Sequence, residues 1–177
     1  MKKLHLSLTR PNDIDNVIKY LEDYKSTLDS KADVFIQRLS RIGIIALNAQ
    51  IKSISPFYKG EDIDTSVSEV YKTDDGWGAK IIMSGSQCVF IEFGAGVTFN
   101  TSKGNSLHPK GQELGFTIGS YNPNSDNATK SSGWWYTDKW GESQHTYGTP
   151  TFAPLYNSSL EMLEAIQGVA EEVFSNG

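Results

Sequence analysis

The stretch CVFIEFGAGV at residues 88–97 constrains the fold more than any other part of the chain. Its first six residues are mostly β-branched or aromatic, and this composition favours a strand. Gly94 and Gly96 then allow a sharp backbone turn. One carboxylate, Glu92, lies inside the apolar run. We therefore predict a strand over residues 87–93 that ends in a glycine turn, with a carboxylate near the boundary.

The residues before this stretch predict two helices and a hairpin. Apolar residues recur at three- and four-residue spacing from Ile14 to Leu28, and Asp29 followed by Ser30 is expected to end that helix. A second, more apolar helix is expected over residues 32–53, lying across a sheet. Residues 63–71 and 77–83 then alternate like strands. With short turns between them, these two strands and residues 87–93 predict an antiparallel meander.

Residues 94–149 are rich in glycine, serine and asparagine, and a loop of this length inside a domain is usually functional or disordered until a partner binds. Phe116, Thr117 and Ile118 are compatible with a short strand. Near the end of the loop lies an aromatic cluster formed by Trp134, Trp135, Tyr136 and Trp140. The cluster is compatible with three roles: covering the sheet, forming a subunit interface or stacking on sugar rings.

The whole pattern predicts an α+β fold in one domain of 177 residues. Two N-terminal helices and a C-terminal helix are expected on one face of an antiparallel sheet of about four strands, with a long irregular insertion. The predicted parts are an N-terminal arm and first helix (residues 1–30), a core helix and meander (31–96), the insertion (97–148) and the terminal helix (149–177).

Charge and composition exclude several classes of function. A net charge of −5 argues against nucleic-acid binding, which needs clustered Lys and Arg. The single cysteine, Cys88, excludes an intrachain disulfide, and its apolar surroundings predict a buried, inert thiol. The chain contains no apolar run long enough to span a membrane and no signal-peptide core at its N-terminus, so we expect synthesis in the cytoplasm.

The charged residues divide between two of the predicted helices. The second helix is basic and includes Arg38 and Arg41, whereas the terminal helix carries four glutamates and no Lys or Arg. The basic face is either simply solvated or meets an acidic neighbour, and the terminal helix of another subunit is one such neighbour.

Catalytic and metal-binding patterns are absent from the sequence. Glu92 has no carboxylate partner that spacing singles out among Glu113, Asp126, Asp138 and Glu142. His5, His108 and His145 form no metal-ligand motif, and Cys88 has no nearby histidine. We therefore expect no enzymatic activity, no metal and no cofactor, and interpret Glu92 as hydrogen-bonded or ion-paired near a strand end.

Three short motifs occur in order along the chain: SPFYKG at residues 55–60, IEFG at 91–94 and TPTFAPLY at 149–156. Together they resemble a family of small structural proteins from long-tailed bacteriophages, the neck, head–tail joining and tail-completion components. The order agrees over roughly residues 30–177. The segment between Gly94 and Thr149 is longer than is usual in the family, and the loop before the hairpin lacks the common Asp-Thr-Gly triplet.

The resemblance implies a non-enzymatic virion protein of a phage or prophage that forms a ring and contacts other virion proteins at the head–tail junction or tail end. It would be assembled in the bacterial cytoplasm, with no membrane or sequence-specific nucleic acid as a partner. Glu92, Phe93 and Gly94 would be its structural signature, and Arg38, Arg41 and the aromatic cluster its candidate interface. The alternative is a cell-wall or carbohydrate-binding or hydrolytic module that uses the aromatic cluster with Glu92.

Overall fold

The fold is mixed α+β, as predicted. A computed structural model describes residues 11–54, 63–100, 106–116, 131–138 and 140–175. The helices of this part of the chain are α1 (Pro11–Ile54), α2 (Cys88–Phe93) and α3 (Pro154–Phe174). The strands are β1 (Asp64–Val67), β2 (Tyr71–Thr73), β3 (Gly76–Gly78), β4 (Ile81–Ser84), β5 (Trp134–Thr137) and β6 (Ser143–Thr146).

The prediction of two N-terminal helices is wrong, because α1 runs through the expected break without interruption. The carboxylate of Asp29, expected to cap a new helix, instead accepts hydrogen bonds from Lys72 Nζ at 2.8 Å and Trp77 Nε1 at 3.4 Å. With no proline or glycine near Asp29, the backbone has no reason to leave the helix once that side chain is bound elsewhere. The result is a single helix of 44 residues, about 66 Å long.

The prediction of one four-stranded sheet is also wrong, since the described strands form three separate two-stranded antiparallel sheets. Each of the first two predicted strands is divided in two. β1 pairs with β4, and β2 pairs with β3, so residues 64–84 form one long interrupted hairpin. The interruption is held by Ser68, whose N–H donates to Lys80 O and whose hydroxyl accepts from Lys80 N, both at 2.8 Å.

The predicted strand over residues 87–93 is instead the short helix α2. Its buried residues are Cys88, Ile91 and Glu92, at the three- and four-residue spacing that puts side chains on one face of a helix. A short apolar run fits a strand or a buried helix equally well by composition. Here the burial of one face against α3 decides for the helix.

The core lies between α1 and α3 rather than between helices and a sheet. Leu39 of α1 and Val169 and Val173 of α3 form its buried centre. The two helices are antiparallel, because the ring of Phe35 contacts Phe174 at a centroid distance of 5.7 Å while Gln50 donates to Glu161 at the other end. The terminal helix thus packs mainly on α1, and α1 in turn contacts the interrupted hairpin.

The insertion contains more structure than its composition predicts. A regular antiparallel hairpin, β5–β6, lies within it and pairs Trp135 with His145. Residues 106–116 form a turn-rich segment in which Phe116 is not part of a strand. The expected arm at residues 1–10, the SPFYKG motif and residues 117–118 lie outside the described residues. Among the described helices, none is both long and apolar enough to cross a membrane.

Candidate functional site

Glu92 is a buried carboxylate, only 4% exposed, whose hydrogen bonds all go to protein groups. Its Oε2 accepts a hydrogen bond from the backbone N–H of Leu155 at 2.8 Å. Its Oε1 accepts from the N–H of Tyr156 at 3.0 Å and lies 2.9 Å from His108 Nε2. Both oxygens of the carboxylate are therefore occupied by protein donors.

The contacts of Glu92 satisfy the start of helix α3, which has no cap of its own. The N-cap position is occupied by Ala153, which has no side-chain oxygen and adopts a left-handed conformation at φ 50°. Helix starts leave backbone N–H groups without partners and carry partial positive charge, so a carboxylate stabilises them. Glu92 supplies that carboxylate from a helix more than sixty residues earlier in the chain.

His108 also binds Glu92, and it thereby connects the insertion to the start of α3. Its Nδ1 accepts the N–H of Lys110 at 3.0 Å, so the ring proton lies on Nε2 and points to Glu92. The imidazole packs between the rings of Phe93 and Tyr156, at centroid distances of 4.6 and 5.3 Å. We name the set Glu92, His108, Leu155 and Tyr156 the capping cluster.

The turn after α2 joins the same region by backbone contacts. Ala95 and Thr149 exchange two hydrogen bonds of 2.8 Å, forming an isolated bridge. Gly94 adopts φ 79° and ψ 167°, a conformation that side chains disfavour, and a Cβ there would lie 2.5 Å from Thr151 Oγ1. Asn100 donates from Nδ2 to Gly96 O at 2.8 Å. The glycines of the IEFG stretch thus allow it to lie directly against the segment that enters α3.

Glu92 and Cys88, the two residues of the 88–93 stretch that could carry chemistry, are both buried. Glu92 is buried with both oxygens hydrogen-bonded, and burial raises the pKa of the Cys88 thiol, which confirms the predicted buried cysteine. Of the carboxylates considered as partners, Glu113 binds Lys110 at 2.7 Å and Asp138 organises a turn. Asp126 lies outside the described residues.

The histidines do not converge on one site. His108 belongs to the capping cluster, whereas His145 donates from Nε2 to Ser132 O at 3.0 Å and contacts the rings of Trp135 and Tyr147. His5 lies outside the described residues. Within the part of the chain that the structure describes, no group of three or more His, Cys, Asp or Glu side chains is placed to hold a metal ion.

The aromatic cluster is divided between the two faces of hairpin β5–β6. Trp134 faces inward, since a Cβ on Gly96 would lie 2.8 Å from its ring. Trp135 points the other way, is 69% exposed, and lies beside His145 and Tyr147. Trp140 is exposed at the tip of the hairpin. The cluster therefore has an inner residue that attaches the hairpin and an outer face that is open to solvent.

Asp138 links the described residues near the tip of this hairpin by hydrogen bonds. Its Oδ1 accepts the backbone N–H groups of Trp140 at 3.0 Å and Glu142 at 2.8 Å, and its Oδ2 accepts Gln144 Nε2 at 3.2 Å. Partial desolvation raises the pKa of Asp138, but these hydrogen bonds outweigh it, so that the pKa lies below its ordinary value. Sequence reasoning missed this turn, although Asp138 and Gly141 are residues that favour one.

The two arginines of the predicted interface belong neither to the capping cluster nor to hairpin β5–β6. Arg38 Nη1 forms an ion pair of 2.8 Å with Glu172 Oε2. The acidic terminal helix thus meets a basic residue of α1 within one chain. Arg41 lines an open groove between α1 and the end of β1, together with Gln37, Val67 and Glu69. An interface role for Arg38 and Arg41 stays a prediction.

Comparison with known proteins supplies no relative on which to base an assignment: the chain matches no protein-family model, no curated protein and no solved structure.

Proposed function

We propose that this chain is a non-enzymatic structural protein of a phage or prophage virion, a head–tail connector, neck or tail-completion component that assembles into a ring. Its partners would be other copies and other virion proteins at the head–tail junction or tail end. It would act in the virion after assembly in the bacterial cytoplasm, without a membrane or sequence-specific nucleic acid as a partner.

The capping cluster is the observation that carries this proposal. The resemblance rests partly on two short motifs, IEFG at residues 91–94 and TPTFAPLY at residues 149–156, separated by a variable segment. In the structure, the glutamate of the first motif binds the backbone N–H groups of Leu155 and Tyr156 in the second. Two motifs that depend on each other physically are better support for a family pattern than two unrelated short matches.

The same cluster favours a structural role over an enzymatic one. A catalytic carboxylate must reach substrate, but Glu92 is buried and binds three protein donors. Its contacts hold the terminal helix and the beginning of the insertion to the core. Such a junction gives a rigid base from which the insertion and α1 present surfaces to neighbouring proteins.

The second candidate is a carbohydrate- or cell-wall-binding module, favoured by the exposed rings of Trp135 and Trp140. Glu92 does not belong to that face, because it is buried beneath the start of α3. The alternative is therefore a module that binds carbohydrate or cell wall and does not use Glu92 for hydrolysis. Pull-down on purified peptidoglycan, with Trp135→Ser as the comparison, tests it.

The decisive experiment is deletion of the gene in a phage or prophage that encodes this chain. We expect separate heads and tails, or tails of defective termination, by electron microscopy, and rescue by the gene on a plasmid. Antibody labelling should place the protein at the head–tail junction or the tail end of wild-type particles. Normal infectious particles from the deletion strain would refute the proposal.

A further inference from the structure

A groove between α1 and the end of β1 offers space for an extended segment of chain. It has a volume of about 480 Å³, and its exposed lining is mostly apolar. Ile44 of α1 and Val67 and Val70 of the interrupted hairpin belong to that lining. Along α1 the groove extends from Asp33 to Ile44, which is about 16 Å of helix. About five residues of extended chain cover the same distance.

The side of the groove formed by β1 is a strand edge that pairs with none of the described strands. β1 pairs with β4 alone, and the N–H of Ser68 continues that ladder by donating to Lys80 O. Hydrogen-bonded pairs alternate along an antiparallel ladder, so the backbone N–H and C=O groups of Val67 point away from β4. A free edge beside an apolar groove can bind an added strand, which pairs through its backbone and places alternate side chains in the groove.

One stretch of the chain has the pattern that such a site requires. Residues 4–8 read LHLSL, and this alternation of three leucines with two polar residues is typical of a strand with one apolar face. The stretch lies outside the described structure, as do residues 55–62, 101–105 and 117–130. None of those other three stretches contains such an alternation of apolar residues. We name residues 4–8 the leucine arm.

The reach of the leucine arm decides which groove it can fill. The groove begins at Asp33, which lies about 33 Å along α1 from Pro11. A fully extended chain carries Leu4 at most about 25 Å from Pro11, and Leu8 at most about 11 Å. The arm therefore cannot place its leucines in the groove of its own copy. A second copy is not held to this limit, because its arm is attached elsewhere.

We propose that the leucine arm adds a strand to the free edge of β1 in a second copy of this chain, with its three leucines in the groove. This inference rests on the proposed function, because it names a contact that joins copies in the ring. The arm and the groove are different surfaces, so the contact is head-to-tail and every dimer keeps one free arm and one free groove. Repetition of such a contact closes into a ring when its rotation permits.

The test compares two disrupted variants with two matched controls on the full chain. Leu6→Asp places a charge on the leucine face of the arm, and Ser7→Asp places the same charge on its polar face. Val67→Pro removes the N–H at the free edge and leaves the ladder with β4 intact, whereas Val67→Thr keeps that N–H. Circular dichroism checks that each variant is folded. Association is measured by analytical ultracentrifugation.

We expect the wild type and both controls to associate, and each disrupted variant to associate at least about tenfold more weakly. An equimolar mixture of Leu6→Asp and Val67→Pro should form a 1:1 dimer that grows no further, because one intact groove accepts one intact arm. A wild type that is monomeric at about 1 mM, a Leu6→Asp variant that associates normally, or a mixture that stays monomeric would overturn the inference.

Photochemical cross-linking identifies the segment that occupies the groove. Benzoylphenylalanine replaces Leu4 in isotope-labelled protein, which is mixed with unlabelled wild type and irradiated. Mass spectrometry should find adducts between the labelled arm and residues 33–44 or 67–70 of an unlabelled copy. Adducts that join the arm only to its own copy, or only to other surfaces of the second copy, would refute the proposed contact.

Antibody labelling of phage particles separates this inference from the proposed function. If the wild type and the Leu6→Asp variant enter particles equally well, the arm contact is wrong and the virion role stands. If the purified protein assembles as described but is absent from particles, the contact stands and the virion role is wrong.

Discussion

Replacement of Glu92 by glutamine removes one charge and one acceptor from the capping cluster. Three donors reach the carboxylate, namely the N–H groups of Leu155 and Tyr156 and Nε2–H of His108. The amide offers one oxygen and turns its NH₂ group toward at least one of these donors. A buried donor without a partner costs about 1–3 kcal/mol, and loss of the charge at the helix start costs roughly a further 1 kcal/mol.

We therefore expect Glu92→Gln to lower the free energy of unfolding by about 2–4 kcal/mol, a large part of the total for a single domain. For a chain of this size, the melting temperature should fall by roughly 5–15 °C. Urea unfolding followed by circular dichroism measures the loss. Glu113→Gln is the matched control, because Glu113 is an exposed glutamate bound to Lys110, and it should behave like the wild type.

Two further measurements locate the effect. Hydrogen exchange at the amides of Leu155 and Tyr156 should accelerate more than exchange in the middle of α3. A double-mutant cycle with His108→Phe should give a coupling energy of about 0.5–3 kcal/mol, because the two side chains share one hydrogen bond. An unfolding free energy within about 0.5 kcal/mol of the wild type, with unchanged exchange at α3, would refute the capping role of Glu92.

Three other substitutions test separate parts of the fold. Gly94→Ala should destabilise the chain by about 1–3 kcal/mol in urea unfolding, because a Cβ there meets Thr151 in a strained conformation, whereas Gly168→Ala in α3 has open space and should be neutral or stabilising. Gly43→Val should force α1 away from Met162 and raise exchange in α3; a wild-type exchange pattern would contradict the close packing. The pKa of Asp29 lies below its ordinary value of 3.8, chiefly because its carboxylate accepts a hydrogen bond from Lys72. Asp29→Asn should therefore be less stable than the wild type above pH 4, and this difference should disappear as the pH falls through the lowered pKa. A difference from the wild type that persists at pH 2 would count against that ion pair.

The course of α1 illustrates what local pattern can and cannot predict. The apolar spacing was sufficient to predict helix on both sides of Asp29. The expected break was wrong because capping is only one use of an aspartate, and Lys72 and Trp77 bind this one from the hairpin. Those partners follow Asp29 by more than forty residues, and no local rule identifies them.

Only part of the capping cluster could be predicted from the sequence. A carboxylate in an apolar run requires partners, so a hydrogen-bonded or ion-paired Glu92 could be predicted. Its partners could not, because two are backbone N–H groups, which every residue but proline carries. One signal was present in the sequence. The N-cap residue before Pro154 is Ala153, whose side chain cannot accept a hydrogen bond, so the first N–H groups of α3 need an acceptor from elsewhere in the chain.

The sequence by itself determined the α+β class, the presence of an amphipathic helix at each end, the burial of Cys88 and the glycine turn after Phe93, because these depend on composition and short-range spacing. Only the tertiary structure decided that residues 88–93 form a helix, that the sheet is three separate pairs, and that α3 packs on α1. Those outcomes depend on which surfaces meet. The stretch at residues 88–97 remains central to the fold, because Glu92 connects α2, the insertion and α3 at one buried point.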